Sequence, residues 1–392
     1  MTALRRLLFW VHLTLGLATG GAGALMAGTA VIMAFADTYL DAREFSKRNV
    51  APPAKATPRS LDELALLVQA AHGGLPITRV GLDRNPRRAF EFYYGTNQLS
   101  YTDPYSGEIR SSDSVPLRRT LHKGVEQWHR FLGLSGDRRD TGKRIISWSN
   151  LALVPLLLTG LILWRPAKFR LAALRGNLIP AGPSRGRGTQ RGWHTALGFW
   201  ALPFLLIMVL TGVQHSFPWA RDGAARLAGH AQPQPGSSDS LWAPGLPPQS
   251  VPENSAVLSL DELRTIAERE LPGWRRLDIF PAPLPKSGRI NSARISALGA
   301  GRGPSFFPTT LQLHPYTGEI LDTHSWDDLG GASRLIAWGR WLHKGEAFGR
   351  TGQIVAGLAC LAMLVLIYTG WALALRRMMR RNRIPGPQAA AS

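Results

Sequence analysis

Four long apolar stretches organise the chain. Leu7–Ala36, Ile145–Trp164, Trp193–Ala220 and Thr351–Leu375 contain no Lys, Arg, Asp or Glu. A bilayer core needs about 20 apolar residues in a helix, so each stretch predicts a transmembrane helix, and a purely soluble protein is excluded. The polar stretches between them carry other patterns. Leu61, Leu64, Leu67 and Val68 recur at helical spacing and predict an amphipathic helix. Ser60 with Glu63, and Ser259 with Glu262, predict capping boxes at two helix starts. Ala89–Tyr94 and Gln98–Thr102 read as short strands. Pro-Tyr-Ser-Gly and Pro-Tyr-Thr-Gly read as turns, and the Glu-Ile after each opens one more strand.

The chain is written twice. Ser60-Leu61-Asp62-Glu63-Leu64 recurs as Ser259-Leu260-Asp261-Glu262-Leu263. Asp103-Pro104-Tyr105-Ser106-Gly107-Glu108-Ile109 recurs as His314-Pro315-Tyr316-Thr317-Gly318-Glu319-Ile320, and Leu121-His122-Lys123-Gly124 as Leu342-His343-Lys344-Gly345. Thr159-Gly160 matches Thr369-Gly370, and Trp10-Val11-His12 with Gly16 resembles Trp193-His194 with Gly198. Each half reads as span, domain, histidine-bearing segment, span. The expected fold class is an α-helical membrane protein with four transmembrane helices in two parallel repeats, plus two small α+β domains.

The expected segments are helix 7–36, domain 37–116, histidine-bearing segment 117–140, helix 141–164, basic loop 165–192, helix 193–219, domain 220–333, histidine-bearing segment 334–350, helix 351–375 and basic tail 376–392. The Pro/Gly/Ser-rich stretch 232–254 reads as a linker inside the second domain. Gly136–Asp140 reads as an insertion with no counterpart in the second half, and Gly301-Arg302-Gly303 as a loop.

Charge orients these elements. The net charge is +20, from 46 basic and 26 acidic residues. Arg5, Arg6, the seven basic residues of 165–192 and the five after Leu375 share their segments with no acid, and all 26 acids lie in 37–144 and 221–350. This is the positive-inside asymmetry. It places both termini and the 165–192 loop in the cytoplasm and both domains across the membrane, and it makes nucleic acid an improper partner for the excess charge. Arg5-Arg6 followed by an apolar run and Ala34-Phe35-Ala36 has the order of a signal peptide. The run is about twice the usual length, so an uncleaved anchor helix is expected. The single cysteine, Cys360, excludes a disulfide framework, a cysteine-ligated iron–sulfur cluster and covalent c-type haem.

The doubled order resembles the PepSY-associated transmembrane family, iron-uptake branch, the FoxB-type ferrisiderophore reductases of the bacterial inner membrane. Its carriers are the two Ser-Leu-Asp-Glu-Leu openings, the two Pro-Tyr turns, Trp128-His129-Arg130-Phe131-Leu132-Gly133, Leu342-His343-Lys344-Gly345 and the Thr-Gly pairs near Trp164 and Trp371. The resemblance implies two periplasmic PepSY domains, b-type haem in the membrane and electron delivery to periplasmic ferric siderophores.

The residues argue for haem independently. Ionisable residues within spans are functional by default, and here the apolar runs hold histidine but no carboxylate. His12 and His194 stand at matching depths near the cytoplasmic ends of the first and third spans, each with glycine four residues on, and are expected to ligate one haem. The other side has more candidates. His343 pairs with His122 by literal Leu-His-Lys-Gly identity, or with His129 by offset. The offset favours His129, since the Pro-Tyr turns are 211 apart, the Thr-Gly pairs 210, His129 and His343 214, and His122 and His343 221. A heptad separates His122 from His129, which puts both on one face of a regular helix. His215 closes the third span where the first has Met33, and is a further, asymmetric candidate. The interfacial-histidine reading stays open for each. His72, His230, His314 and His324 are expected on solvated surface.

The expected protein is therefore a bacterial inner-membrane, di-haem b electron carrier. It reduces Fe(III) in a periplasmic siderophore to Fe(II), a weaker partner for hard oxygen ligands. Cytoplasmic segments this short cannot form a flavin or nicotinamide domain, so electrons come from membrane quinol or a separate donor. No catalytic side chain is assigned. The rival readings are a non-catalytic PepSY-type binding or regulatory protein, and a transporter of the iron complex.

Overall fold

In a computed structural model, residues 2–165, 171–179, 187–229, 246–250, 256–283 and 289–381 are described. His230, most of the 232–254 linker, parts of the 165–192 loop and the tail beyond 381 lie outside the described residues. The chain divides into two compact units, one of Met1–Phe35, Leu121–Ala220 and Gly339–Ser392, the other of Ala36–Thr120 and Arg221–Trp338.

The first unit is helical. Its long elements are α1 (Ala3–Arg43, shared with the second unit), α6 (Arg139–Trp164), α8 (Arg187–Ser216) and α12 (Gly349–Arg381). Four helices, over Ala3–Arg43, Gly136–Trp164, Gly188–Ser216 and Glu346–Met379, are long and apolar enough to cross a membrane. The protein is a multi-pass membrane protein. Helices run past the apolar stretches because a helix end does not stop where side chains become polar. α8 packs along both α6 and α12, through Ala201, Leu205 and Ala359 on one side. Met26, Ile146, Leu153 and Val209 join α1, α6 and α8. Short helices α5 (Val125–Phe131) and α7 (Leu171–Leu178) pack on α6 and α8, and α9 (Pro218–Leu227) and α11 (Gly331–Lys344) each run across the boundary between the units.

Gly136–Asp140 is not an insertion. Gly136–Arg138 forms a 3-10 turn ahead of α6, and Glu346–Phe348 forms the same turn ahead of α12, 210 residues on. The extra residues of the first half lie instead just after α5, where Leu132 and Gly133 take left-handed conformations. The two histidine segments then meet their spans alike. A Cβ on Gly142 would stand 2.0 Å from the carbonyl oxygen of Phe131, and one on Gly352 would stand 2.2 Å from that of Gly345. Phe131 follows His129 by two residues and Gly345 follows His343 by two. The backbone contact thus matches His129 with His343. The heptad relation of His122 to His129 does not hold as drawn, because α4 (Val115–Arg119) continues into a π-helical turn, Thr120–Gly124, that carries His122 and shifts the helical register.

The second unit holds one antiparallel sheet of eight strands, in the order β10-β9-β8-β6-β1-β2-β3-β4. The first domain supplies β1 (Ile77–Asp83), β2 (Phe90–Tyr94), β3 (Gln98–Thr102) and β4 (Ile109–Ser111). The second supplies β6 (Arg276–Phe280), β8 (Ala293–Leu298), β9 (Pro308–Leu313) and β10 (Ile320–His324). A two-stranded ribbon pairs β5 (Gln249–Ser250) with β7 (Arg289–Ile290). The two expected domains are fused, since β1 pairs with β6 from Val80–Ile279 to Asp83–Arg276. Helices α3 (Leu61–Ala71) and α10 (Leu260–Glu270) bury Leu61, Leu64, Ala65 and Val68, and Leu260, Leu263 and Ala267, in one core. Leu67, expected on the buried face, is exposed, as it stands off the 61-64-65-68 stripe. The short α2 (Phe45–Arg48) follows α1.

The capping box is complete at Ser259–Glu262. At Ser60 only the half in which Glu63 N–H donates to the serine forms, because the Glu63 carboxylate pairs with Arg59. The Asp/His exchange between the two Pro-Tyr turns is also explained. Asp103 Oδ1 accepts from the N–H groups of Tyr105 and Ser106, and His314 Nδ1 faces those of Tyr316 and Thr317. His72 stacks on Tyr94 at 4.3 Å, and the Nε2 of His324 is buried, so neither is simple solvated surface.

Candidate functional site

Four of the sequence-selected histidines are held in one way. His12 Nδ1 lies 3.1 Å from the Leu156 carbonyl and 3.2 Å from Thr159 Oγ1. His194 Nδ1 lies 3.0 Å from Thr369 Oγ1, with the Leu366 carbonyl as its backbone partner. His129 Nδ1 lies 2.9 Å from Thr29 Oγ1, with Met26 as backbone partner. His343 Nδ1 lies 3.1 Å from Thr211 Oγ1 and 2.9 Å from the Met208 carbonyl. In each case the carbonyl belongs to the residue three before the threonine.

This arrangement fixes the proton. Thr29, Thr159, Thr211 and Thr369 each donate their hydroxyl hydrogen 2.7 Å to the carbonyl four residues earlier, at Leu25, Pro155, Ile207 and Val365. Their oxygens are left to accept. A carbonyl cannot donate at all, so Nδ1–H is the donor in every case. Nε2 then keeps a free lone pair, the state in which an imidazole binds a metal.

The histidines form two pairs. His12 and His194 have ring centres 6.3 Å apart, and so do His129 and His343. A metal–imidazole bond is about 2.0–2.1 Å and the ring centre lies about 1.1 Å beyond the nitrogen, so two imidazoles on opposite sides of one metal have centres roughly 6.3 Å apart. Glycine makes room beside three of the rings. A Cβ on Gly160, Gly212 or Gly370 would stand 3.1, 3.3 or 3.3 Å from Cε1 of His12, His343 or His194. Gly16 and Gly198 would meet only leucine methyls, at an ordinary 3.7 Å. Among the described residues no group of three or more His, Cys, Asp or Glu could hold a metal with protein ligands alone. His12 with His194, and His129 with His343, could each supply two imidazoles to a metal whose other ligands come from a bound macrocycle.

The family model for the PepSY-associated TM region matches residues 9–377. The chain belongs to this family. No curated protein matches it.

The other candidates differ. His215 lies against His343, with ring centres 5.6 Å apart and a 35° tilt, and its Nδ1 faces the carbonyl of Thr211 on its own helix at 2.6 Å. It lacks the threonine of the other four. His122 sits in the π-helical turn before α5. The threonines were the residues that sequence reasoning passed over. Thr159 and Thr369 served only as repeat markers, and Thr29 and Thr211 were not singled out. A signal existed, since Thr29 and Thr211 are separated by the same 182 residues as His12 and His194.

Proposed function

We propose that this family member is a di-haem b electron-transfer protein of the bacterial inner membrane that reduces Fe(III) in periplasmic ferric siderophores. The supporting observation is the fourfold Nδ1 anchoring of His12, His194, His129 and His343, in two pairs at 6.3 Å. His12 and His194 would hold one haem and His129 and His343 the other. Bound haem supplies one-electron redox chemistry that no side chain of the chain offers. The protein's part is to hold each imidazole in one tautomer and orientation, to exclude water, and to span the bilayer with two such sites. α1 runs about 21–26 Å from His12 to the Met26–Thr29 contact of His129, at about 1.5 Å per residue. Membrane quinol or a separate protein is the donor. With quinol, two electrons and two protons leave the donor and two Fe(III) chelates become Fe(II). In this reading the basic segments face the cytoplasm, the sheet-bearing unit faces the periplasm, and the two halves are parallel repeats.

Purified full-length protein from haem-replete cells should show b-type bands that sharpen on reduction. His12→Ala and His194→Ala should each remove one signal, and His129→Ala and His343→Ala the other. Reduced protein should convert a ferric siderophore to Fe(II) trapped by a ferrous chelator. Colourless protein would instead favour the binding-protein reading. That second reading has one feature of its own, a cleft of about 470 Å³ in the sheet-bearing unit. Arg84, Arg88, Tyr105, Arg264 and Trp274 are among its lining residues.

A further inference from the structure

The two halves of the helical unit differ sharply at one place. A cleft of about 270 Å³ is lined by Asp140, Lys143, Arg144, Ser147 and Trp148 of α6, with Ser216 and Phe217 just beyond His215. The chain supplies its own control. The 210-residue offset of α6 and α12 turns Asp140, Lys143, Arg144, Ser147 and Trp148 into Arg350, Gln353, Ile354, Gly357 and Leu358. The 182-residue offset of α1 and α8 turns His215, Ser216 and Phe217 into Met33, Ala34 and Phe35. There Phe35 lies against Gly357, where a Cβ would stand 2.6 Å from its ring. In the first-named place Phe217 turns to Trp148 at 5.3 Å and Trp219 at 5.7 Å, and the cleft stays open.

Its chemistry is that of an anion site with aromatic walls. Lys143 and Arg144 are exposed, and their side chains make no hydrogen bond or ion pair among the described residues. Asp140 is the one acid of the lining. Ser147 and Ser216 add hydroxyl donors. His215 immediately precedes the lining residue Ser216; it is exposed, and its ring centre lies 5.6 Å from that of His343. Ordinary membrane anchoring by Lys, Arg and Trp does not account for the histidine, which the equivalent place replaces with Met33.

We infer that this cleft is the docking site for the electron acceptor, an anionic, oxygen-ligated ferric chelate, with His215 as the contact between it and the His129/His343 pair. The inference rests on the reductase reading and adds a place and a charge class to it. One electron, supplied by the donor through the protein, converts docked Fe(III) to Fe(II). No bond is made to the protein, and the weaker Fe(II) complex leaves. Two cations in a partly exposed cleft attract an anion most at low ionic strength, because about 0.1 M salt screens charges beyond about 10 Å.

The test uses purified full-length protein and gallium(III) citrate, a trivalent chelate that cannot be reduced under these conditions, so binding is read without electron transfer. Equilibrium dialysis should show retention that weakens with salt. Lys143→Glu with Arg144→Glu should weaken it at least tenfold, and Gln353→Glu at the equivalent place should not. His215→Met should leave gallium citrate binding intact but slow reoxidation of the reduced protein by ferric citrate about tenfold. Equal retention by all variants, or none by the wild type, overturns the docking site. So does binding of phosphatidylglycerol that Lys143→Glu with Arg144→Glu abolishes and gallium citrate does not compete for, which would make the cleft a lipid anchor. Unchanged reoxidation in His215→Met removes His215 from the route. Charge-dependent gallium binding to a protein without haem bands would keep the docking site and sink the reductase reading.

Discussion

Asp62 and Asp261 cap each other's helices. The Asp261 carboxylate accepts from the backbone N–H of Leu61 at 2.9 Å and of Asp62 at 3.1 Å. Asp62 accepts from Leu260 at 2.8 Å and Asp261 at 3.2 Å. Ser60 also donates to Asp261. The first turns of α3 and α10 are thus satisfied by the opposite repeat, which also places a carboxylate at the positive end of each helix dipole. Each Asp→Ala change should cost about 1 kcal/mol, the usual worth of a helix cap. In a thermal melt of the full chain, the transition of the sheet-bearing unit should fall by about 2–4 °C for each kcal/mol. The double variant should lose about the sum, since each carboxylate caps a different helix. An unchanged transition in either single variant would argue against the reciprocal caps.

The same contact carries a pH dependence. Burial pushes the Asp261 carboxyl up, but hydrogen bonds from Ser60 and from the N–H groups of Leu61 and Asp62 outweigh it and hold it below its ordinary range. A lowered carboxyl stabilises the fold above the unfolded value, near about 3.9, and loses that contribution as pH falls through the folded value. Acid unfolding followed by tryptophan fluorescence should therefore be less steep in Asp261→Asn than in the wild type.

Glu91 of β2 meets Arg276 of β6 at 2.7 Å and tethers the two domains across the β1–β6 seam. Burial raises the Glu91 carboxyl, but Arg276, Arg48 and Arg79 hold it low; burial lowers the Arg276 guanidinium, but Glu91 and Asp278 hold it high. Glu91→Gln leaves a partly buried guanidinium short of a counter-charge. The expected loss is about 2–3 kcal/mol, below the full cost of about 3–5 for a broken buried pair, because Asp278 still contacts Arg276 at 3.2 Å. Denaturant unfolding measures it, and Arg276→Met with Glu91→Leu should recover part of the loss.

The threonines should matter through the imidazoles. Thr211→Val keeps the shape of the side chain but removes the oxygen 3.1 Å from His343 Nδ1. The Met208 carbonyl still holds the proton on Nδ1. Retained haem with an altered midpoint potential and low-spin resonance is expected for the His129/His343 site, with the His12/His194 site unchanged. Redox titration followed optically separates the two.

Backbone proximity gives a sharper contrast between glycines. Gly142→Ala drives a methyl to 2.0 Å from the Phe131 carbonyl oxygen, whereas Gly16→Ala meets only Leu156 Cδ1 at 3.7 Å. Gly142→Ala should displace the His129 segment and deplete the haem of that pair by more than half, and Gly16→Ala should retain it. Pyridine haemochrome assay per mole of protein measures both.

The topology has its own check. Reporters fused after Ser392 and within 176–190 should both behave as cytoplasmic, following the charge asymmetry. A periplasmic signal from either would overturn the proposed topology and, with it, the proposed direction of electron flow.

Much of this was legible in the chain. Span lengths follow from bilayer thickness, so uninterrupted apolar runs announced all four helices. The doubled motifs aligned the halves, and their offsets preferred His129 over His122 as the counterpart of His343. Histidines in apolar runs stand out because nothing else there can carry charge.

Tertiary structure decided what lies between elements. The sequence marks Ser60–Leu64 and Ser259–Leu263 as local helix starts, but the reciprocal use of Asp62 and Asp261 requires two helices 199 residues apart to meet end to end. The fused sheet likewise depends on β1 and β6 pairing across two domains that each look complete in sequence. Thr29, Thr159, Thr211 and Thr369 hydrogen-bond their own helices, as many threonines in spans do. Only the packing brings a histidine from another helix to each, and that contact, not the residue type, fixes the proton on Nδ1 and frees Nε2.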